Sequence, residues 1–331
     1  MEQLYDFEKE KVRDFLKHFK VKRAAIQLPE GLRKYLEEIL QTFEDASVDV
    51  VVLADSCYGA CDLADLKAKQ ANCDALIHYG HADMGLPTRL PTLYVEARMK
   101  VDPSDVVDRV LSELEFNRLG LATTVQHVGH LEKVAGLLRA RGIEAAVGKP
   151  GPRAKYPGQI LGCDLSCVKS VVDRVDGFLY IGTGKFHPLG IAFITRKEVV
   201  IANPLAGTHE KLASDIDDFI RQRKAVVKRA AACNKFGVLV STKPGQNRFN
   251  LARDLMGKLK NAGRVPSLLV LDEILPERLS EFIQLEAFVC CACPRIPIDD
   301  APRFDKPVLT PFEAKVVAGE ADFEPYQPDE I

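Results

Sequence analysis

The sequence predicts an α/β protein of three pseudo-repeated domains, each a small parallel sheet flanked by helices, arranged around a common centre. Two observations carry this expectation. Short runs of Val, Ile and Leu without polar alternation recur along the chain between amphipathic helical segments, the pattern of parallel strands covered on both faces. Crossovers of this kind are right-handed and gather their loops at the carboxyl ends of the strands. In addition, Cys61 in YGACD, Cys163 in PGQILGCD and Cys293 in ACPRIPID each follow a predicted strand, and each lies more than a hundred residues from the next.

The first unit opens with a strand at 24–28 and passes through Pro29-Glu30-Gly31 into a helix. Its apolar residues Leu32, Tyr35, Leu36, Ile39, Leu40 and Phe43 follow helical spacing. A strand at 48–53 then leads to Cys61. In the second unit a strand at 119–125 runs through Gly129 into a helix with Leu131, Val134, Leu137 and Leu138 on one face, then a strand at 145–147, and Cys163 follows. The third has a strand at 236–241, the loop 242–247, a helix bearing Leu251, Leu255, Met256 and Leu259, and a strand at 267–271. There an extra helix and strand intervene before Cys293. The joints fall after Val95, where 97–105 starts a new helix, and after Asn203-Pro204, giving domains 1–97, 98–205 and 206–331.

Composition excludes several function classes. With 331 residues, 47% hydrophobic and 28% charged, the chain can bury two or three cores of ordinary size. Its formal charge of -2, with Lys and Arg scattered, offers no basic stripe for nucleic acid. No segment approaches the ~20 apolar residues that span a bilayer, and the acidic, amphipathic start MEQLYDFEKEK does not read as a signal peptide, so a cytoplasmic location is expected.

Nine cysteines without a secretory signal point to reduced thiols or a metal rather than a disulfide framework. Cys73 and Cys233 sit where a small hydrophobe would serve, and Cys290 and Cys291 end a strand, where adjacent side chains face opposite ways. Cys61, Cys163 and Cys293 are different. Thiolates so distant in sequence meet only if three units converge, and three thiolates on a cubane leave one iron open to another ligand. Cys57 and Cys167 each form CxxxC with one of the three. Were a fourth thiolate to bind, the site would be closed, which suits a structural or electron-transfer centre better.

The motifs LPEGL (28–32), YGACD (58–62), HYGH (78–81), PGQILGC (157–163), YIGTGKFHP (180–188), ANP (202–204), ACPRIPID (292–299) and LTPFE (309–313) together resemble the archaeal 2-(3-amino-3-carboxypropyl)histidine synthase family, which performs the first step of diphthamide biosynthesis. The resemblance spans nearly the whole chain. It implies a homodimer of three-domain subunits, each with a 4Fe-4S cluster on one cysteine per domain, here Cys61, Cys163 and Cys293, with Cys57 and Cys167 outside the ligand set. It further implies that the open iron engages S-adenosylmethionine, an electron donor reduces the cluster, and the bond from sulfonium to Cγ breaks. The 3-amino-3-carboxypropyl group then passes to C2 of a histidine imidazole in translation elongation factor 2, leaving methylthioadenosine.

Residues outside the cysteines are read with a functional and a plain alternative. Gly245, Gln246, Asn247 and Arg248 open a helix after a strand, where amides can hold a carboxylate, and are expected either to contact S-adenosylmethionine or simply to start the helix. Pro29, Glu30 and Gly31 occupy the matching loop of the first unit. His187 in GTGKFHP is a candidate contact for the cofactor or the incoming substrate loop. His78 and His81 have metal-compatible spacing but no acidic or cysteine partner nearby in sequence, and are expected to be hydrogen-bonded loop histidines. Arg295 is a candidate to balance cluster charge or pair with a substrate carboxylate. Two rival readings remain: an enzyme like quinolinate synthase, whose motifs YGACD and ACPRIPID do not resemble, and a non-catalytic iron-sulfur scaffold or electron-transfer partner.

Overall fold

The computed structural model describes residues 4–331. Strand β1 (Tyr5–Asp6) and the helix Lys9–His18 lead into β2 (Arg23–Gln27), β3 (Asp49–Leu53), β4 (Ala75–Tyr79) and β5 (Thr92–Val95), and β6 (Arg98–Met99) returns to pair with β1. Next come β7 (Arg118–Thr123), β8 (Glu144–Val147), β9 (Gly177–Ile181), β10 (Glu198–Asn203) and β11 (Thr208–Lys211). Last are β12 (Lys235–Ser241), β13 (Val265–Leu271), β14 (Ala287–Cys290) and β15 (Val308–Leu309).

These strands make three larger sheets, ordered β3-β2-β4-β5, β8-β7-β9-β10-β11 and β13-β12-β14-β15. Each therefore repeats the order second, first, third, fourth. Within that common core all pairings are parallel, and only β11 joins antiparallel. Each sheet is buried on both faces. In β2, Ala24 and Ile26 enter a core with Ile39, Phe43 and Ile77, while Ala25 joins Leu63, Cys73 and Leu76 on the other side. The same division holds for the second and third sheets. Two buried faces explain the unbroken apolar runs, and each fully buried Ile, Leu or Val contributes roughly 1.5–3 kcal/mol.

The repeat extends to individual hydrogen bonds. Asp74, Asp176 and Glu286, each just before the third strand of its sheet, accept from the backbone N–H of Arg23, Arg118 and Lys235 at 2.9, 3.0 and 3.1 Å. Their own N–H groups donate back to the same residues' carbonyls at 2.8, 2.8 and 2.9 Å. A close packing step recurs as well. A Cβ at Gly120 would meet Phe178 at 2.3 Å, and one at Gly237 would meet Phe288 at 2.6 Å, so in both sheets the central strand yields space to a ring on its neighbour.

Three local expectations differ from the structure. The helices after β2 and β7 begin as 3-10 turns, Glu30–Tyr35 and Val125–His130, before becoming α-helical, because apolar spacing over one turn does not separate a period of 3.0 from 3.6. The helix expected from residue 97 starts at Ser104, whose N–H donates to Asp102 Oδ1 at 3.0 Å. Strand β11 lies past residue 205 yet pairs with β10, so the second sheet continues to Lys211. No helix among the described residues is long and apolar enough to cross a membrane.

Candidate active site

Cys61, Cys163 and Cys293 line one cavity of about 260 Å³. Every segment of its wall follows the carboxyl end of a strand: 58–61 after β3, 80–84 after β4, 124–126 after β7, 153–163 after β8, His187 after β9, and 293–295 after β14. Parallel sheets bind ligands at that edge, where strand order reverses. Here three such edges share one space. The HYGH turn needs its glycine, since Gly80 has φ +85° and a Cβ there would lie 2.8 Å from Pro29 Cγ.

Contacts between units hold the cysteine loops in register. Gly245 N–H donates to the Cys61 carbonyl at 2.8 Å, and the Gln246 amide donates to Cys61 Sγ at 3.3 Å. Arg153 reaches the Gly245 carbonyl at 2.6 Å, and Gln126 the Gly80 carbonyl at 2.7 Å. Buried Lys243 pairs with Asp62 at 2.5 Å and lies over the Tyr58 ring. On the far side, Ile331 N–H donates to the Cys163 carbonyl at 2.9 Å, and Glu330 Oε1 accepts from Leu165 N–H at 3.0 Å.

Electrostatics keep the thiols neutral while nothing is bound. Burial pushes the Cys163 thiol up to about 11, against the favourable charge of Arg153. Cys61 is raised by burial and partly offset by the Gln246 hydrogen bond, and Cys293 is raised by burial and by nearby Cys61. Burial holds His187 down at about 4, aided by Arg295, so it is a neutral imidazole stacked on Tyr180 at 6.2 Å.

The other sequence candidates separate. His187 lines both the cysteine cavity and an adjoining one of about 500 Å³. Pro29 and Glu30 line a third space with Cys57, His81 and Arg295, whereas a Cβ on Gly31 would meet nothing within 4 Å. Gly245, Gln246, Asn247 and Arg248 do not line the cysteine cavity. Gly245 and Gln246 brace Cys61 from behind, Asn247 Oδ1 accepts from Phe249 N–H at 3.4 Å, and Arg248 forms two hydrogen bonds, 2.5 and 2.9 Å, with the Asp329 carboxylate. Arg295 faces the cavity, pairs with Asp299 at 2.7 Å and covers the Phe186 ring.

The remaining cysteines fall into the cores as their positions imply. Cys167 packs with Leu165 and Val168, Cys73 with Leu63 and Leu76, and Cys290 and Cys291 enter opposite faces of the third sheet. Cys233 lies at the edge of the third core, its Sγ donating to the Arg229 carbonyl at 3.4 Å. His78 and His81 are hydrogen-bonded as expected, to each other at 3.0 Å and from His78 to Gln27 at 2.9 Å, but His78 lies in β4 rather than in a loop. The expected lack of a cysteine partner is corrected, because Cys57, distant in sequence, is brought by β3 to the end of β4. Sequence reading also missed Gln126, His127 and Arg153, although residues 124–126 occupy the loop that corresponds to 29–31 in the first unit. LTPFE proves to be a structural device: Thr310 and Glu313 form a capping box, and buried Glu313 pairs with Arg223, which also holds the Pro297 carbonyl.

The family described as "Putative diphthamide synthesis protein" matches residues 28–327. This chain belongs to that family. Among diphthamide synthesis proteins, 2-(3-amino-3-carboxypropyl)histidine synthase of Pyrococcus horikoshii is 39% identical over 99% of this chain and 94% of its own length. Subunit 1 of the Schizosaccharomyces pombe synthase is 33% identical over 94% of this chain and 73% of its own. The crystal structure of Dph2 from Pyrococcus horikoshii with a 4Fe-4S cluster superposes with a TM-score of 0.92 at 38% identity, covering 99% of this chain and 95% of that one. Membership in the diphthamide synthesis family makes this chain an enzyme, a transferase of the 2-(3-amino-3-carboxypropyl)histidine synthase type.

Proposed function

We propose that this protein transfers the 3-amino-3-carboxypropyl group of S-adenosylmethionine to C2 of a histidine imidazole in translation elongation factor 2, using a 4Fe-4S cluster held by Cys61, Cys163 and Cys293. The observation that carries the reading is the convergence of three thiols, one from a strand-end loop of each sheet, on one cavity wall. The donor set fits the group. Three thiols and no fourth cysteine line the cavity, a set that would leave one iron of a cubane free for a sulfonium, and the solved relative is described with a 4Fe-4S cluster. Bound there, the cluster would supply the electron that breaks the Cγ–S bond.

The protein's own residues do the rest. Cys61, Cys163 and Cys293 give up three protons on binding, so loading is favoured by rising pH. Gln246 donates to one ligand sulfur, a contact of the kind that tunes cluster potential. Neutral His187 and cationic Arg295 face both the cysteine cavity and its neighbour, where they can orient the co-substrate's amino-acid portion or the acceptor imidazole. Pro29 and Glu30 lie on the adjoining wall. The three lobes, with the second joint placed after Lys211 rather than after residue 205 because β11 pairs with β10, act as a cytoplasmic homodimer that takes electrons from a separate donor. Alanine at any of the three cysteines should abolish iron binding and methylthioadenosine release from reduced protein, whereas Cys57→Ala and Cys167→Ala should keep their iron. Iron lost with either of the latter two, or turnover surviving Cys163→Ala, would overturn the ligand set.

A further inference from the structure

Beside the loop that carries Cys61, the ends of β3 and β4 bring a second donor set together. Cys57 follows β3, His78 lies near the end of β4, His81 two residues beyond it, and one donor atom from each lies within 4.8 Å of the others. Ligand atoms sharing one zinc lie about 3.5 Å apart, given ~2.1 Å to nitrogen and ~2.3 Å to sulfur, so only small side-chain movements separate the trio from coordination. Cys57 and His78 are buried.

The tautomer of His78 is fixed for metal binding. Gln27, at the end of β2, donates through Nε2 to the Asp62 carbonyl at 2.6 Å, while its Oε1 accepts from Ala64 N–H at 3.1 Å. Both contacts orient the amide the same way. Its oxygen, 2.9 Å from His78 Nδ1, therefore accepts the ring proton, and His78 Nε2 is left with a lone pair directed at His81 Nδ1, 3.0 Å away. An imidazole whose far nitrogen is tied to a fixed acceptor is the usual outer support of a metal-bound histidine.

We propose that Cys57, His78 and His81 form a mononuclear site for a borderline divalent cation of the zinc type, beside the Cys61, Cys163 and Cys293 cavity and sharing with it only His81. Two imidazoles and one thiolate suit zinc, and three protein ligands leave a fourth position. Cys57 and His81 both line a space of about 340 Å³ that accommodates a water or an oxygen ligand there. On binding, the Cys57 thiol releases its proton to solvent, and the proton that His81 Nδ1 donates to His78 Nε2 is exchanged for one on His81 Nε2, so that His81 Nδ1 and His78 Nε2 each turn a lone pair to the metal. The ion ties the YGACD loop to β4. This inference stands apart from the cluster assignment, because it uses none of the three cavity cysteines.

The test uses the full chain with Cys61→Ala, Cys163→Ala and Cys293→Ala, titrated anaerobically with Co2+. One cobalt per chain is expected, with the visible bands of a tetrahedral ion and a thiolate charge-transfer band. Adding Cys57→Ala should remove that band and weaken binding at least tenfold, and Gln27→Leu should weaken it about 10–100-fold. No cobalt bands, or bands unchanged without Cys57, would overturn the site. Because three substitutions can impair folding, the unmutated protein with its cluster is also incubated with zinc, gel-filtered and analysed for both metals. One zinc per chain, lost from Cys57→Ala with iron unchanged, supports the site. Absence of zinc from the unmutated protein, or loss of iron together with zinc, overturns it.

Discussion

Adding one methyl group at Gly245 should disable the active site from outside its cavity. A Cβ there would stand 2.6 Å from both Cα and Cβ of Cys61 and 3.0 Å from its carbonyl oxygen. Carbon atoms pack at about 3.5–4.0 Å, so the shortfall is about 1 Å. No rotamer relieves it, because the obstruction is backbone, held by the 2.8 Å bond from Gly245 N–H to the Cys61 carbonyl and by Arg153 on the Gly245 carbonyl at 2.6 Å. The first and third units must shift, and Cys61 moves with them. A misplacement of about 1 Å can lower a rate on the order of 100-fold. Iron per chain and the rate of methylthioadenosine release would be measured for Gly245→Ala beside Gly31→Ala, whose Cβ would meet nothing within 4 Å. Neither glycine has a positive φ, so backbone strain does not enter. Wild-type iron and turnover in Gly245→Ala, or an equal loss in Gly31→Ala, would refute the reasoning.

Asp329→Ala should cost about 3–5 kcal/mol in urea denaturation, since it strands the largely buried Arg248, and it should speed alkylation of Cys163 in cluster-free protein because the adjoining residues 330–331 brace that loop. Gly120→Ala, driven into Phe178, should destabilise by roughly 1–3 kcal/mol with no direct effect on the cavity, read as a lower urea midpoint. For pH, His81, His127 and His187 are held down at about 4 by burial, below the unfolded value of about 6.5. Their contribution is complete above pH 6.5 and is lost as pH falls towards 4. Cys163 and Cys167 are raised to about 11 by burial, so their contribution is complete below the ordinary thiol value and is lost as pH rises towards 11. Urea midpoints of cluster-free protein across both ranges check the two signs; a flat profile would contradict them.

Much of the architecture was legible because its signals are local. Unbroken apolar runs such as 236–240 marked doubly covered strands, and helical spacing at Leu131, Val134 and Leu138 marked a helix that packs on them. The strands expected at 48–53 and 236–241 match Asp49–Leu53 and Lys235–Ser241 to within one residue. Less visible was the acidic residue before each third strand, since Asp74, Asp176 and Glu286 share no longer motif and their equivalence emerges only from identical bonds. The partners of the glycine loop at 245–248 were not legible either, because they come from distant segments. Gly245 N–H donates to the Cys61 carbonyl, the Arg248 guanidinium to Asp329, and Asn247 Oδ1 accepts from Phe249 N–H.

By itself the sequence determined three β/α units and the placement of Cys61, Cys163 and Cys293 in loops beyond their strands, because periodicity and chain order are properties of neighbouring residues. Tertiary structure alone decided what meets across those units. Gln246 reaches Cys61 across 185 positions, Arg248 meets Asp329 across 81, and Cys57 arrives beside His78 and His81. Such contacts depend on how three sheets turn their carboxyl edges towards each other, a matter of packing between surfaces that no local pattern records.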